Sequence, residues 1–339
     1  MNYPLVSVVM SVYNGSEYIR QTIDSILAQT YRNIEFLIIN NGSTDSSEEI
    51  ILSYPDKRIK YIQNKKSKGL IASLNLGISL SQGEYIARID SDNIADPERL
   101  DRQLEFLMTH PDHGMCGTFY RIIDSKGEVM EQVELPSSHI EAKTFLMFGN
   151  CFCHSSIMIK ASLIRELKYR KEYQVCEDYD LWHRASQLTK VSNIPIYATM
   201  YRVHGQSISQ QEKKTQDNQV GLINKNFLED HRIPYTPEEL EIHTNFLRFN
   251  HGYYETNGFA KLEDWLIKLG RKLSKDPEIH QPLAHKVIIR RWITICVHAR
   301  RIDCLFLNKL LLRYGFFYVE CFYEKVMDKI RHRNPGYDL

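Results

Sequence analysis

Residues 5–13 read LVSVVMSVY, an almost unbroken run of apolar and β-branched side chains. Such a run, ended here by the turn residues Asn14-Gly15-Ser16, is typical of a strand that is buried on both faces. Apolar residues then recur at the spacing of one helix face, at Ile19, Ile23, Ile26 and Leu27. The opening of the chain therefore predicts a strand and a helix, the first part of a βαβ unit.

The same alternation continues along the chain. Further strands are predicted over residues 34–39, 58–63 and 84–89, and a helix over residues 70–80. Asp96 is predicted to cap a helix with Pro97 in its first turn, where a missing N–H costs nothing. Strands that alternate with helices form a mainly parallel sheet, and ligands bind beyond the carboxyl ends of its strands. The predicted fold class is thus α/β, a mainly parallel sheet flanked by helices.

The pattern changes in the second half of the chain. A hairpin is predicted from residues 118–124 and 128–135, followed by strands at residues 155–160 and 196–203 with a helix at about 177–189 between them. Beyond residue 210 the β-branched runs thin out, and the pattern predicts a series of helices. We expect two domains, an α/β domain over residues 1–208 and a mostly helical C-terminal region over residues 209–339.

The composition disfavours several classes of protein. With 43 Lys and Arg against 42 Asp and Glu, the chain of 339 residues lacks the basic surplus of proteins that bind nucleic acid non-specifically. The sequence has no run of about 18 apolar residues that would span a membrane, and its N-terminus lacks the positive segment of a signal peptide. The seven cysteines have neither zinc-like nor disulfide-like spacing, the nearest pair being Cys151 and Cys153. We therefore expect a cytoplasmic protein with free thiols.

Two carboxylates stand close together after the predicted strand at residues 84–89. Asp90 and Asp92 are two residues apart on a turn, so both can converge on one hard cation such as Mg²⁺ or Mn²⁺. Asp and Asn also favour turns, and taken alone the pattern is more typical of a solvated turn.

Three more carboxylates, Glu177, Asp178 and Asp180, cluster where a helix is predicted to begin. They suit either helix capping, because acids complement the positive end of the helix dipole, or a general base near an acceptor hydroxyl. His204 ends the strand segment Tyr201–His204, and a lone histidine is more often structural than a ligand unless a metal site lies beside it. The first strand is followed by neither phosphate-binding glycine motif, which disfavours a P-loop NTPase and a standard dinucleotide site.

The order and spacing of the motifs are more specific than any motif alone. The segments concerned are Ser7–Asn14 (SVVMSVYN), Ser25–Tyr31 (SILAQTY), Asn40–Asp45 (NNGSTD), Gly83–Asp92 (GEYIARIDSD) and Glu177–Trp182 (EDYDLW). Over about residues 4–208 the chain resembles the inverting GT-A glycosyltransferases of family 2. Within that family its pattern is similar to bacterial lipooligosaccharide N-acetylhexosaminyltransferases, on the evidence of Leu70-Ile71 with Asn75, Phe148–Asn150 with His154, and Tyr201–His204.

The resemblance implies how a UDP-sugar donor would be bound. Ser11 and Tyr13 would lie against the uracil and the ribose. Asn41 would stand where the family's aspartate meets the uracil edge. Asp90 would contact the donor, and Asp92 would contact it through a bound metal ion. The implied donor-binding residues are therefore these five.

The resemblance also implies a metal site and a base. Asp92 would coordinate the divalent cation, Mn²⁺ or Mg²⁺, and His204 would approach that metal or the diphosphate. Asp178 would be the general base that takes the proton of the acceptor hydroxyl. With these roles, one direct displacement would invert the configuration at the anomeric carbon, without a covalent intermediate.

Two positions depart from the family pattern. Asn41 replaces the usual Asp, and Asn93 replaces the last Asp of D-x-D-D. The amide oxygen of Asn41 can still accept from uracil N3–H, but the charge-assisted hydrogen bond of a carboxylate is lost. We expect a lower donor affinity or a relaxed preference for the base.

The function that the resemblance implies is a metal-dependent inverting glycosyltransferase. It would move a hexose or an N-acetylhexosamine from a UDP-sugar to a glycan or glycolipid acceptor in surface polysaccharide or lipooligosaccharide synthesis. One alternative is a catalytically impaired sugar-nucleotide-binding relative, which Asn40-Asn41 favours and the presence of Asp92 and Asp178 disfavours. Another is a nucleotidyltransferase, which would need a basic phosphate-binding loop early in the chain, whereas no Lys or Arg precedes Arg20.

The C-terminal tail is basic. Residues 285–339 hold 11 Lys and Arg against 5 Asp and Glu, interleaved with aromatic residues such as Trp292, Phe316 and Phe317. Basic helices with bulky apolar faces can lie in a membrane interface, which would keep the protein peripherally at the cytoplasmic face of the inner membrane. The other interpretation, that the aromatics pack onto the protein and the charges are solvated, is somewhat favoured by composition alone.

Overall fold

The computed structural model describes residues 3–205, 213–247, 253–254 and 258–299, without the side chains of residues 213–218 and 298. The chain divides into two compact units. One consists of Met1–Leu146 with Asn150–Gln219, and the other of Met147–Gly149 with Val220–Leu339. The boundary predicted at residues 208/209 lies outside the described residues, so it stays a prediction.

A mixed sheet organises the first unit. Its strands are β1 (Val6–Val12), β2 (Ile34–Asn40), β3 (Ile59–Gln63), β4 (Tyr85–Arg88), β5 (Ile94–Ala95), β6 (His113–Ile123), β7 (Val129–Val133), β8 (Met158–Lys160) and β9 (Lys190–Arg202). The order in the sheet is β3-β2-β1-β4-β8-β6-β9-β5, and β7 pairs with β6. Strands β3, β2, β1 and β4 are parallel, β8 is antiparallel to both of its neighbours, and β6 and β9 are parallel. The parallel half is the part that the alternating sequence pattern predicts.

Helices cover the sheet. Those of the first unit are α1 (Ile19–Leu27), α2 (Ser47–Leu52), α3 (Leu70–Leu80), α4 (Arg99–Thr109), α5 (His139–Leu146), α6 (Ala161–Leu167) and α7 (Glu177–Leu188). Strands β1 and β2 are buried at every position, and α1 turns Ile19, Ile23 and Ile26 into the same core. The predicted α/β class, the β6–β7 hairpin and the helix at α7 are confirmed.

The predicted role of Asp96 as a helix cap is wrong. The helix begins at Arg99, and its N-cap residue is Glu98. The Asp96 side chain instead accepts from the N–H of Glu98, at 3.0 Å, within the preceding turn. Just after the end of α1, Gln29 Nε2 donates to the backbone carbonyl of Asp96, and the Thr30 N–H donates to that of Pro97. These two residues therefore join α1 to α4 before the helix starts.

Beyond residue 212 the described chain is mostly helical, as predicted. The helices are Lys213–Asp230, Pro237–Leu247, Phe259–Leu273 and Gln281–His298. In the second unit Trp265 and Trp292 are fully buried, and the guanidinium of Arg291 donates to the carbonyls of Leu247 and Phe148. No helix among the described residues is both long and apolar enough to cross a membrane. Most of the basic tail, from residue 300 onward, lies outside the described residues.

Candidate active site

The carboxyl ends of β1, β2 and β4 bring three turns to one edge of the sheet. Val12 pairs in register with Asn40, and Val9 pairs with Arg88. The turns that follow these strands therefore start side by side, as expected for the ligand-binding edge of a parallel sheet. Of the predicted residues on β1 and its turn, Ser11 is buried, whereas Tyr13 is 56% exposed. Tyr13 thus offers an aromatic face to a ligand at this edge.

The Asn41 side chain anchors the loop at Ser67 and Lys68, a contact that the sequence does not predict. Its Oδ1 accepts from the N–H of Lys68 at 2.9 Å, and its Nδ2 donates to Ser67 Oγ at 3.1 Å. The next residue, Gly42, has φ +79°, and an added Cβ would lie 2.8 Å from the backbone N of Ser67. A side chain at residue 42 would therefore displace this loop. Lys65, Lys66 and Lys68, all exposed, are thereby set beside the predicted nucleotide position.

Asp90 is held in place by two donors. Arg88, only 4% exposed, forms an ion pair with its Oδ1, and Ser155 Oγ donates to its Oδ2 at 2.6 Å. Burial acts to raise the pKa of Asp90, but the Arg88 charge and the Ser155 hydroxyl outweigh burial and lower the pKa below its ordinary value. Asp90 is therefore a fixed negative charge, with 31% of its side chain still exposed.

The structure brings together Asp92 and His204, which are 112 residues apart in sequence. Asp92 Oδ2 lies 3.0 Å from His204 Nε2, and both side chains reach solvent. The His204 ring packs on Tyr18, at 5.1 Å between centroids, and the Arg202 guanidinium lies over the same tyrosine ring. Burial and the neighbouring charge of Asp90 raise the pKa of Asp92, although His204 opposes them. A cation bound here would relieve the repulsion between the two carboxylates.

This donor set fits a divalent cation that is completed by substrate. Within residues 3–205 and the other described segments, no group of three or more His, Cys, Asp or Glu side chains is placed to hold a metal. Asp92 Oδ2 and His204 Nε2, which lie 3.0 Å apart on side chains that both reach solvent, are nevertheless atoms that can ligate such a cation. Mg²⁺ commonly binds through one or two carboxylates together with waters and substrate phosphates, and Mn²⁺ accepts the same oxygen ligands.

Asp178 and Glu177 share a buried region at the start of α7 but have different surroundings. Asp178, partly exposed, accepts from Asn150 Nδ2 and from the Tyr179 N–H, each at 2.7 Å. Glu177 is 6% exposed, and its Oε1 lies 3.8 Å from His154 Nδ1. Burial raises the pKa of both carboxyls, and the Asp178 charge raises that of Glu177 further. The pair therefore favours a single negative charge, which is better solvated and better hydrogen-bonded on Asp178.

Asp180, the third carboxylate of the cluster, has a structural role. Its side chain is 2% exposed and lies 2.7 Å from the Arg184 guanidinium, one helical turn further along. It also lies 3.7 Å from Arg170. The acidic cluster thus divides into a structural residue and a pair that remains available for chemistry.

A chain of contacts behind the site was not predicted from the sequence. Asn75 on α3 bonds the backbone of Tyr169 twice, at 2.8 and 3.0 Å. The Tyr169 hydroxyl in turn lies 2.8 Å from His154 Nε2, which directs the other ring nitrogen toward Glu177. Burial and the Arg88 charge lower the pKa of His154 to about 3, so this imidazole is neutral at physiological pH. Asn75 and His154 stand in motif segments of the sequence, whereas their common partner, Tyr169, lies in a stretch without any motif.

The comparisons with known proteins agree on the family. Residues 7–167 match the sequence profile of glycosyl transferase family 2. An uncharacterized glycosyltransferase of Haemophilus influenzae is 36% identical over 222 residues, 61% of this chain and 68% of that protein. A second from the same organism is 31% identical over 224 residues, covering 60% and 85%. The uncharacterized glycosyltransferase MJ1057 of Methanocaldococcus jannaschii is 34% identical over 189 residues, covering 54% and 65%.

Solved structures support the fold. Staphylococcus aureus TarS 1–349 in complex with UDP-GlcNAc superposes with a TM-score of 0.59 at 15% identity, over 91% of this chain and 92% of that one. The mannosyltransferase PcManGT of Pyrobaculum calidifontis, in complex with GDP-Man and Mn²⁺, gives a TM-score of 0.54 at 13% identity, over 88% of both chains. At these identities the likeness shows the fold, which is the GT-A type. With the profile match and the curated relatives, it establishes that the chain belongs to glycosyl transferase family 2.

Proposed function

We propose that the protein is an inverting glycosyltransferase that moves a sugar from a UDP-sugar to a hydroxyl group of a glycan or glycolipid. The observation that carries the proposal is the arrangement around Asp90. Asp90, two residues before Asp92, accepts from Ser155 Oγ at 2.6 Å, and the adjacent His154 lies 3.8 Å from Glu177, the residue before Asp178. A candidate base and a candidate diphosphate site therefore face the same region of the sheet edge.

The residues of the site would divide the reaction between them. Asp178, held by Asn150 and the Tyr179 N–H, would take the proton of the acceptor hydroxyl as its oxygen attacks the anomeric carbon. Attack from the face opposite the diphosphate inverts the configuration, so an α-linked donor gives a β-linked product. A divalent cation, held by Asp92 and His204, would stabilise the negative charge that develops on the departing diphosphate.

The donor is proposed as a UDP-sugar on two grounds. The TarS structures with a similar fold carry UDP or UDP-GlcNAc. In this chain the exposed Tyr13 ring suits a nucleotide base, and the exposed Lys65, Lys66 and Lys68 suit phosphates. An N-acetylhexosamine or a hexose is the proposed sugar. A glycolipid acceptor of lipooligosaccharide or surface polysaccharide synthesis would suit a basic tail, residues 285–339, drawn to the anionic cytoplasmic face of the membrane.

Thermal unfolding of the full chain with a series of nucleotide sugars tests the proposal. A ligand that binds only the folded state stabilises it by about 2.7 kcal/mol at 100 times its Kd, so UDP-sugars should raise the melting temperature, and more so with Mn²⁺. GDP-mannose is the matched control. A larger shift with GDP-mannose than with every UDP-sugar would contradict the donor class. Release of UDP during turnover distinguishes an active enzyme from a catalytically impaired relative.

Asn41→Asp is expected to strengthen UDP binding, because a carboxylate accepts from uracil N3–H more strongly than an amide does. An aspartate can also keep the present loop contacts, since the Lys68 N–H and the Ser67 hydroxyl can both donate to it. Calorimetry with UDP measures the change. Asn33→Asp, an exposed position before the opposite end of β2, controls for the added charge. Weaker binding in Asn41→Asp would mean that the site uses the amide as a donor.

A further inference from the structure

Asn93, one of the two residues that depart from the family pattern, is fully buried, and both the oxygen and the nitrogen of its amide are hydrogen-bonded. Its Oδ1 accepts from the backbone N–H of Arg202, and its Nδ2 donates to Ser155 Oγ, each at 2.7 Å. A backbone N–H can only donate, so the oxygen must face Arg202 and the nitrogen must face Ser155. The orientation of this amide is therefore fixed by its partners.

The Ser155 hydroxyl has one proton and two lone pairs, and all three are used. The proton goes to Asp90 Oδ2, at 2.6 Å, because an ionised carboxylate can only accept. The lone pairs receive the N–H of Asp90, at 2.9 Å, and Nδ2 of Asn93. Because the amide at position 93 donates to Ser155 Oγ, the hydroxyl proton of Ser155 is directed to Asp90.

An aspartate at position 93 would reverse this arrangement. It has no proton to give to Ser155, so it would compete with Asp90 for the single hydroxyl proton. It would also add a third negative charge beside Asp90 and Asp92, in a position with no solvent access. An aspartate, the residue of the family pattern at position 93, is thus unsuited to a place beside Asp90 and Ser155.

The same amide connects two parts of the site. Asn93 is next to Asp92 in the chain, and its bond to the Arg202 N–H reaches β9 two residues before His204. The Arg202 side chain reinforces the link, since its Nε donates to the backbone carbonyl of Asp92 at 2.9 Å. The separation of Asp92 and His204 therefore depends on the position of Asn93.

We propose that Asn93 is a positioning residue for donor binding. Its amide directs the Ser155 hydroxyl onto Asp90 and fixes the turn that carries Asp90 and Asp92 against the end of β9. The proposal rests on the proposed function, because it concerns the affinity of that same site for a UDP-sugar. It predicts an effect on donor binding and little effect on proton transfer to Asp178, which belongs to α7.

A double-mutant cycle tests the proposal. We expect Asn93→Asp and Ser155→Ala each to weaken UDP binding about tenfold, in calorimetry with and without Mn²⁺, because each removes a buried polar contact. Since both changes disrupt one arrangement, the double variant should lose no more affinity than the worse single variant. In kinetic assays KM for the donor should rise about tenfold, while kcat stays within about threefold.

Ser156→Ala is the matched control. Ser156 is also buried, and its hydroxyl donates to the Cys153 carbonyl rather than to Asp90. This variant should melt at a lower temperature but keep its affinity for UDP. An Asn93→Asp affinity within about twofold of wild type, or losses that multiply in the double variant, would overturn the proposal. If Asn93→Asp does not fold, the Ser155→Ala affinity decides by the same twofold criterion. A wild-type chain that binds no UDP would contradict the proposed function instead.

Discussion

Asp92→Ala is expected to abolish sugar transfer while the chain keeps its fold. The change removes the carboxylate that lies 3.0 Å from His204 and leaves the imidazole alone at the predicted diphosphate position. Stabilisation of a leaving group by a cation contributes several kcal/mol, so turnover should fall by about 10³-fold or more. The measurement is transfer from a UDP-sugar in the presence of Mn²⁺, together with circular dichroism to verify the fold.

The control for this change is another carboxylate deletion. Asp101→Ala removes an exposed carboxylate from α4 and should leave transfer close to wild type. The Asp92→Ala protein should also lose the extra thermal stabilisation that Mn²⁺ gives to the UDP complex. Turnover near the wild-type rate in Asp92→Ala would show that the metal or the diphosphate is held elsewhere.

Asp178→Asn is expected to lower turnover by at least about 10²-fold, the lower range for a positioned general base, with donor binding retained. The structure favours Asp178 over Glu177 because Asp178 is the more exposed carboxyl and accepts two hydrogen bonds that stabilise its charge. Its raised pKa implies that activity is lost on the acid side at a higher pH than an ordinary aspartate would give. Measurements of the rate from mildly acidic to neutral pH record this loss of activity.

Glu177→Gln serves as the comparison. A neutral, isosteric amide at this buried position keeps the protonation state that the surroundings of Glu177 favour, so it should be the milder change. The loss of rate on the acid side should remain in Glu177→Gln and should be absent from the residual activity of Asp178→Asn. The reverse ranking of the two variants would assign the base to Glu177.

The parallel half of the sheet could be predicted because its signals are local. Strands β1 and β2 are apolar at nearly every position and buried at every position, and α1 shows a clear helical period. Strand β9 extends from Lys190, six residues before its predicted start, because pairing with β6 overrides the weak propensity of its polar first residues. Pro195 is tolerated there as an exposed residue beyond the part of β9 that pairs with β5.

The site was predictable only as far as its motifs extend. Asp90, Asp92 and Asp178 each stand in a recognisable segment, whereas Ser155 lies 65 residues from the aspartate that it bonds and in no motif with it. The loop contact of Asn41 with Lys68 was equally hidden, because it depends on how β2 and the chain after β3 meet in space. A burial pattern along one chain carries no information on such pairs.

The acidic pair at the start of α7, Glu177 and Asp178, also affects the stability of the protein. A carboxyl whose pKa is raised in the folded state favours folding below its unfolded pKa, near 4, and this advantage is lost as the pH rises through the folded value. At neutral pH the folded chain therefore retains an electrostatic cost at Glu177 and Asp178 that the unfolded chain does not have. Selection for heat resistance alone would favour neutral residues here, and would thereby favour variants that have lost the proposed base, Asp178.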